Sequence, residues 1–147
     1  MRADLEIVCG FIEAGKTAFI NALNELTKIK DEDTFIILTE DGHSKIEENS
    51  KEYKVIYFND DISLIASKIK VAICQYKPYK IIIEYNGTYT MEEFYKTYAE
   101  TLNKYCRLKC VYYIINGKTF LYYFKNLSEL FLYNYLSILN CYFLYMV

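Results

Sequence analysis

Glycine and proline are scarce in this chain, five and one among 147 residues, so most of its turns must form without either. Tryptophan is absent, although tyrosine and phenylalanine bring the aromatic share to 18%. Basic charge is not in excess. The net charge is −2, the pI is near 5.5 and the 17 basic residues are dispersed, which excludes the electrostatic footprint of a general nucleic-acid binder. The cysteines (Cys9, Cys74, Cys106, Cys110, Cys141) are odd in number and widely spaced, and no leader of charged, apolar and small residues precedes them. A reducing, cytoplasmic setting is therefore expected. Cys106 and Cys110 form the one close pair; without a histidine or further cysteine nearby they fall short of a four-ligand zinc pattern and read as two half-buried thiols. The sole histidine, His43, is expected to be an exposed loop residue; with Glu40 it could form part of a transition-metal site, but zinc wants three or four ligands. Arg2 and Arg107 are the only arginines, too few for the arginine-rich lid of a small-molecule kinase.

What is present fits one globular α/β domain, with 53% apolar and 24% charged residues. An apolar run over 5–9 ends at Gly10, and a helical pattern opens near Lys16 with Phe19, Ile20, Leu23 and Leu26. After the acidic cluster Asp31, Glu32, Asp33 comes a buried-type strand over 34–38, a polar loop over 39–54 and a short strand over 55–58. Asp60 or Asp61 can cap a helix bearing Ile62, Ile65, Ile69, Ala72 and Ile73, which Pro78 closes. Ile81, Ile82 and Ile83 in succession predict a central parallel strand over 79–85, covered on both faces. Thr90 and Glu93 have capping-box spacing ahead of a helix with Phe94, Tyr98 and Leu102; a fifth strand over 109–115 and a helix from Thr119 follow. The alternation predicts a largely parallel sheet with right-handed crossovers.

Residues 130–147 differ from the rest, being 18 residues without a charge. They reach the minimum length of a membrane span, but Asn134, Ser137 and Asn140, and the absence of basic residues after them, disfavour one. A buried helix or one covered by a protein partner is the expectation, with accidental sequence beyond an early gene end as the alternative.

The chemistry concentrates at Gly10-Phe11-Ile12-Glu13-Ala14-Gly15-Lys16-Thr17, which satisfies G-x-x-x-x-G-K-[ST] between a strand and a helix. In such a loop, successive N–H groups and the helix N-terminus surround phosphates. Lys16 is then the bridge to the β and γ groups, and Thr17 the hydroxyl ligand of magnesium. Gly10, Glu13, Ala14 and Gly15 complete the nucleotide-binding loop, with the Glu13 carboxylate expected to point away from the repelling triphosphate. Glu84 ends the central strand, placed to hold magnesium through water, and Gly87 offers a close backbone N–H to the γ-phosphate. Glu40, at another strand end, is a further candidate for the magnesium network, although a solvated loop acid explains it nearly as well.

At these residues the chain resembles the CobW-type GTP-binding proteins, relatives of the urease and hydrogenase metal-insertion GTPases. The resemblance rests on G-F-I-E-A-G-K-T at 10–17, on Thr39-Glu40-Asp41-Gly42, similar to the family's Asn-Glu-x-Gly, and on Glu84-x-x-Gly87; it covers about 5–131. Three departures stand out. The Cys-x-Cys-Cys metal motif is missing, Asn116 stands where an Asp is usual, and the guanine-selecting segment would follow the end of the chain. The resemblance implies a P-loop NTPase-like three-layer α/β fold with a mostly parallel sheet over 1–131, apparently truncated, with 132–147 as an apolar tail. It implies a magnesium-dependent GTP-binding domain with slow hydrolysis in which Lys16 and Glu84 carry the chemistry. The rival expectation is a non-catalytic interaction module, or GTPase remnant, engaging a protein through its tail.

Overall fold

The computed structural model describes residues 2–27, 34–39, 53–57, 64–127, 129 and 144–146. The elements are β1 (Ala3–Cys9), α1 (Lys16–Thr27), β2 (Thr34–Leu38), β3 (Tyr53–Tyr57), α2 (Ile65–Tyr76), β4 (Lys80–Glu84) and α3 (Met91–Glu100). A 3-10 turn (Leu102–Lys104), β5 (Cys106–Ile115), α4 (Phe120–Asn126) and β6 (Leu144–Met146) follow. The described strands form one sheet in the order β3-β2-β4-β1-β5-β6, and every pairing is parallel.

Side-chain alternation divides the core into two layers. Ile7, Ile37, Ile81, Ile83 and Tyr113 face α2 and α3, meeting Ile65, Ile69, Met91 and Phe94. Val8, Ile36, Ile82 and Ile114 face the opposite way, against Phe19, Ile20 and Leu23 of α1. Ile81, Ile82 and Ile83 are all fully buried, as a strand covered on both faces requires, and each contributes about 1.5 to 3 kcal/mol of burial. The path from β1 to β2 crosses β4 in one direction, whereas the paths from β3 to β4 and from β4 to β5 run the other way. Right-handed crossovers then put α1 on one face and α2 and α3 on the other.

The boundaries differ from the sequence pattern in instructive places. β1 begins at Ala3, two residues ahead of the apolar run, because the acids in it have cationic partners: Asp4 pairs with Arg107 at 2.8 Å and Lys109 at 3.5 Å, and Glu6 with Lys80 at 3.0 Å. β5 begins at Cys106 rather than Lys109, since Lys109 is a bulge: the register passes from Leu5 opposite Leu108 to Glu6 opposite Cys110. This extra residue turns Cys106 and Cys110 to opposite faces of the sheet, so the C-x3-C pair does not converge.

The capping box at Thr90 and Glu93 is reciprocal, with Glu93 N–H donating to Thr90 Oγ1 at 3.4 Å and Thr90 N–H to Glu93 Oε2 at 3.3 Å. Leu102, expected on that helix, instead starts the 3-10 turn and remains fully buried. α2 ends at Lys77, whose left-handed backbone sends its N–H to Ile73 O just before Pro78. The Asp60 or Asp61 cap lies outside the described residues. In the tail, Leu144–Met146 pairs with Tyr113–Ile115 as an edge strand, so the expected helix does not extend through those three residues. The pairing occupies backbone groups that an edge would leave open. Among the described residues, no helix is long and apolar enough to cross a membrane.

Candidate functional site

β1 sends its following helix to one face of the sheet, while β4 and β5 on either side send α3 and α4 to the other, since Phe94, Phe120 and Tyr123 pack with the α2 and α3 layer. Where adjacent strands diverge in this way, a crevice opens at their carboxyl ends. The loop from Gly10 to Gly15, Glu84 with its following turn, and Asn116 all lie at that edge.

Backbone geometry explains the loop's composition. Gly10 has φ 149° and lies so close to β5 that an added Cβ would be 2.4 Å from Ile114 O. Gly15 has φ 93°, a conformation side-chain-bearing residues rarely adopt. Glu13 also holds a left-handed φ of 60° and is exposed. Phe11 anchors the loop: it is buried, stacks on Tyr123 at 4.6 Å and meets Tyr113 edge-on at 6.5 Å.

Lys16 is 3% exposed, and its ammonium donates to Gly10 O at 3.0 Å and Phe11 O at 3.1 Å. A buried cation needs such partners, and these two carbonyls hold Nζ inside the curl of the loop. Ala14, also buried, sends its N–H to Phe11 O at 3.1 Å. On the outside, Tyr123 Oη donates to Ile12 O at 3.4 Å and Asn116 Nδ2 to Glu13 O at 3.3 Å.

Thr17, the second residue of α1, donates its hydroxyl to Glu84 Oε2 at 2.9 Å across 67 residues of sequence. Both are buried. The β4 end is fixed from both sides, since Thr39 donates Oγ1–H to Glu84 O at 2.7 Å and the Tyr85 N–H donates to Val8 O at 2.8 Å. Gly87 lies directly on the loop: a Cβ there would be 2.0 Å from Gly10 O and 2.9 Å from Phe11 N. Its lack of a side chain thus permits backbone contact between the two loops.

The fold gathers Gly10, Ala14, Gly15, Lys16, Thr17, Glu84 and Gly87 at the carboxyl edge of the sheet. Glu40 and His43 lie outside the described residues. Three contributors escaped the sequence reading. Thr39 belongs to a motif, Asn116 stands where an Asp is usual, and Tyr123 lies in the helix expected from Thr119, but none of the three carries a site signal of its own. The Asn116-Gly117 turn was the one local signal for any of them.

Cys9, beneath the loop, donates its thiol to Tyr112 O at 3.4 Å; burial pushes its pKa up to about 12, partly opposed by the Lys16 charge. It is an inert packing group. Among the described residues, no three His, Cys, Asp or Glu side chains converge as a metal cage. Thr17 and Glu84 offer hard oxygen donors that suit a cation completing its shell with phosphate and water. Compared with protein-family models, curated proteins and solved structures, the chain matches none.

Proposed function

We propose that this domain has a P-loop NTPase fold and binds a purine nucleoside triphosphate with magnesium, GTP in preference to ATP, hydrolysing it slowly. One observation carries the reading: the Thr17 hydroxyl and Glu84 carboxylate meet at 2.9 Å at the end of the loop in which the Lys16 ammonium is buried. A hydroxyl, a carboxylate and a buried ammonium at a helix N-terminus form a donor set suited to a triphosphate and its hard cation.

Lys16 exchanges its two carbonyl contacts for β- and γ-phosphate oxygens and stabilises the charge that grows there during transfer. Thr17 through its hydroxyl and Glu84 through its carboxylate would hold magnesium, which when bound would supply positive charge to offset that of the phosphates. Slow hydrolysis is the expectation because no residue of the sequence stands out as a water-positioning base. The guanine preference rests on the resemblance to CobW-type proteins, and a cytoplasmic setting on the odd number and wide spacing of the cysteines.

Equilibrium titration with fluorescent GTP and ATP, with and without magnesium, tests the reading. Saturable, magnesium-strengthened binding that favours GTP is expected. Absence of binding to either nucleotide contradicts it and favours the interaction module.

A further inference from the structure

We infer that Asn116 and Tyr123 are positioning residues that hold the tip of the phosphate loop from outside, fixing which way its peptide groups point. The carbonyls of four successive residues are engaged in a divided pattern. Gly10 O and Phe11 O accept from Lys16 inside the loop, whereas Ile12 O accepts from Tyr123 Oη and Glu13 O from Asn116 Nδ2 outside it.

In a trans peptide, the C=O and the next N–H point in opposite directions. Drawing Ile12 O toward α4 therefore turns the Glu13 N–H inward, and drawing Glu13 O toward Asn116 turns the Ala14 N–H inward, where it donates to Phe11 O. The tip needs such support, because Glu13 sits at φ 60°, a conformation that persists for a non-glycine residue when its surroundings enforce it.

Asn116 is itself fixed. Its Oδ1 accepts from the Lys118 N–H at 2.9 Å, leaving Nδ2 directed at the loop, and its own carbonyl receives the N–H groups of Thr119 and Phe120 at the start of α4. Tyr123, one turn further along, stacks its ring on Phe11 while its hydroxyl reaches Ile12. The end of β5 and the first turn of α4 thus form a bracket around the loop. An aspartate at position 116 would keep the turn through Oδ1 and lose the donor.

The effect of the bracket on ligand affinity rests on the triphosphate-binding reading; its effect on the loop does not. The experiment compares the full chain with Asn116→Asp, Tyr123→Phe and the double variant, by amide hydrogen exchange over 11–15 and by GTP titration. Tyr123→Phe keeps the ring and changes no charge, so its result separates the lost donor from the charge added by Asn116→Asp. Exchange at the loop amides at least about fivefold faster in the double variant, with β1 and β4 amides unchanged, is expected. GTP affinity should fall about fivefold for each lost donor, with turnover at saturation retained. Unchanged exchange in the double variant overturns the inference whatever the nucleotide does. Faster exchange in a chain whose parent binds no triphosphate supports the bracket and refutes the P-loop reading alone.

Discussion

Thr17 and Glu84 are joined by a 2.9 Å hydrogen bond between the first turn of α1 and the end of β4, with neither side chain open to solvent. The pair links the loop that follows β1 to the strand beside it, so the carboxylate is held in place before any ligand arrives. Preorganisation of this kind places charge where reaction needs it.

Glu84→Gln preserves the shape and an acceptor for the Thr17 hydroxyl while removing the charge. Steady-state phosphate release should fall at least about tenfold, as expected for a lost charged group at a reacting centre, with magnesium dependence weakened and GTP affinity much less affected. Equal turnover in variant and parent would remove Glu84 from the site.

Gly87→Ala should be severely destabilising, since its methyl would collide with backbone at Gly10 and Phe11 that no side-chain rotation can clear. A loss of about 3 kcal/mol or more is expected in urea denaturation. Gly15→Ala is the control. Nothing lies within 4 Å of its added Cβ, so its cost is the strain of φ 93° alone, about 1 to 2 kcal/mol. Equal losses at the two positions would contradict the close approach of the loops.

Alkaline pH should destabilise the fold through its buried thiols and phenols. Burial raises the Cys9 thiol from 9.0 to about 12 and the Cys106 thiol to about 11, and it also raises Tyr85 and Tyr112. Below pH 9 the Cys9 thiol is protonated in both states and contributes no pH dependence. As pH rises from 9 toward 12 the unfolded chain loses that proton and the folded one keeps it, so stability falls, by at most about 1.4 kcal/mol per pH unit from Cys9. Urea midpoints from pH 8 to 11 should decline, and Cys9→Ala should flatten the decline. A steeper fall in that variant would show that Cys9 is not its source.

The sequence made much of this arrangement legible because apolar periodicity is a local signal. Ile81, Ile82 and Ile83 announced a strand covered on both faces, and Thr90 with Glu93 announced a helix start. The start of β5 was hidden, because the bulge at Lys109 breaks the alternation that marks a strand and its charged neighbours find partners on β1. The site divided along the same line. Lys16 and Thr17 follow from a contiguous motif, whereas Thr39, Asn116 and Tyr123 reach the site through contacts spanning 45, 103 and 111 residues. No window of sequence reveals such pairings, which depend on strand order rather than on spacing along the chain.

The central claim is that the Lys16 ammonium, held by Gly10 O and Phe11 O, is the cation that receives the phosphates. The most direct measurement is calorimetric titration of GTP with magnesium into the parent and Lys16→Ala, with circular dichroism confirming that both are folded. Loss of a charge-assisted contact worth about 1.5 to 3 kcal/mol predicts affinity reduced at least about tenfold in the variant. A folded Lys16→Ala protein that binds GTP as tightly as the parent would contradict the account.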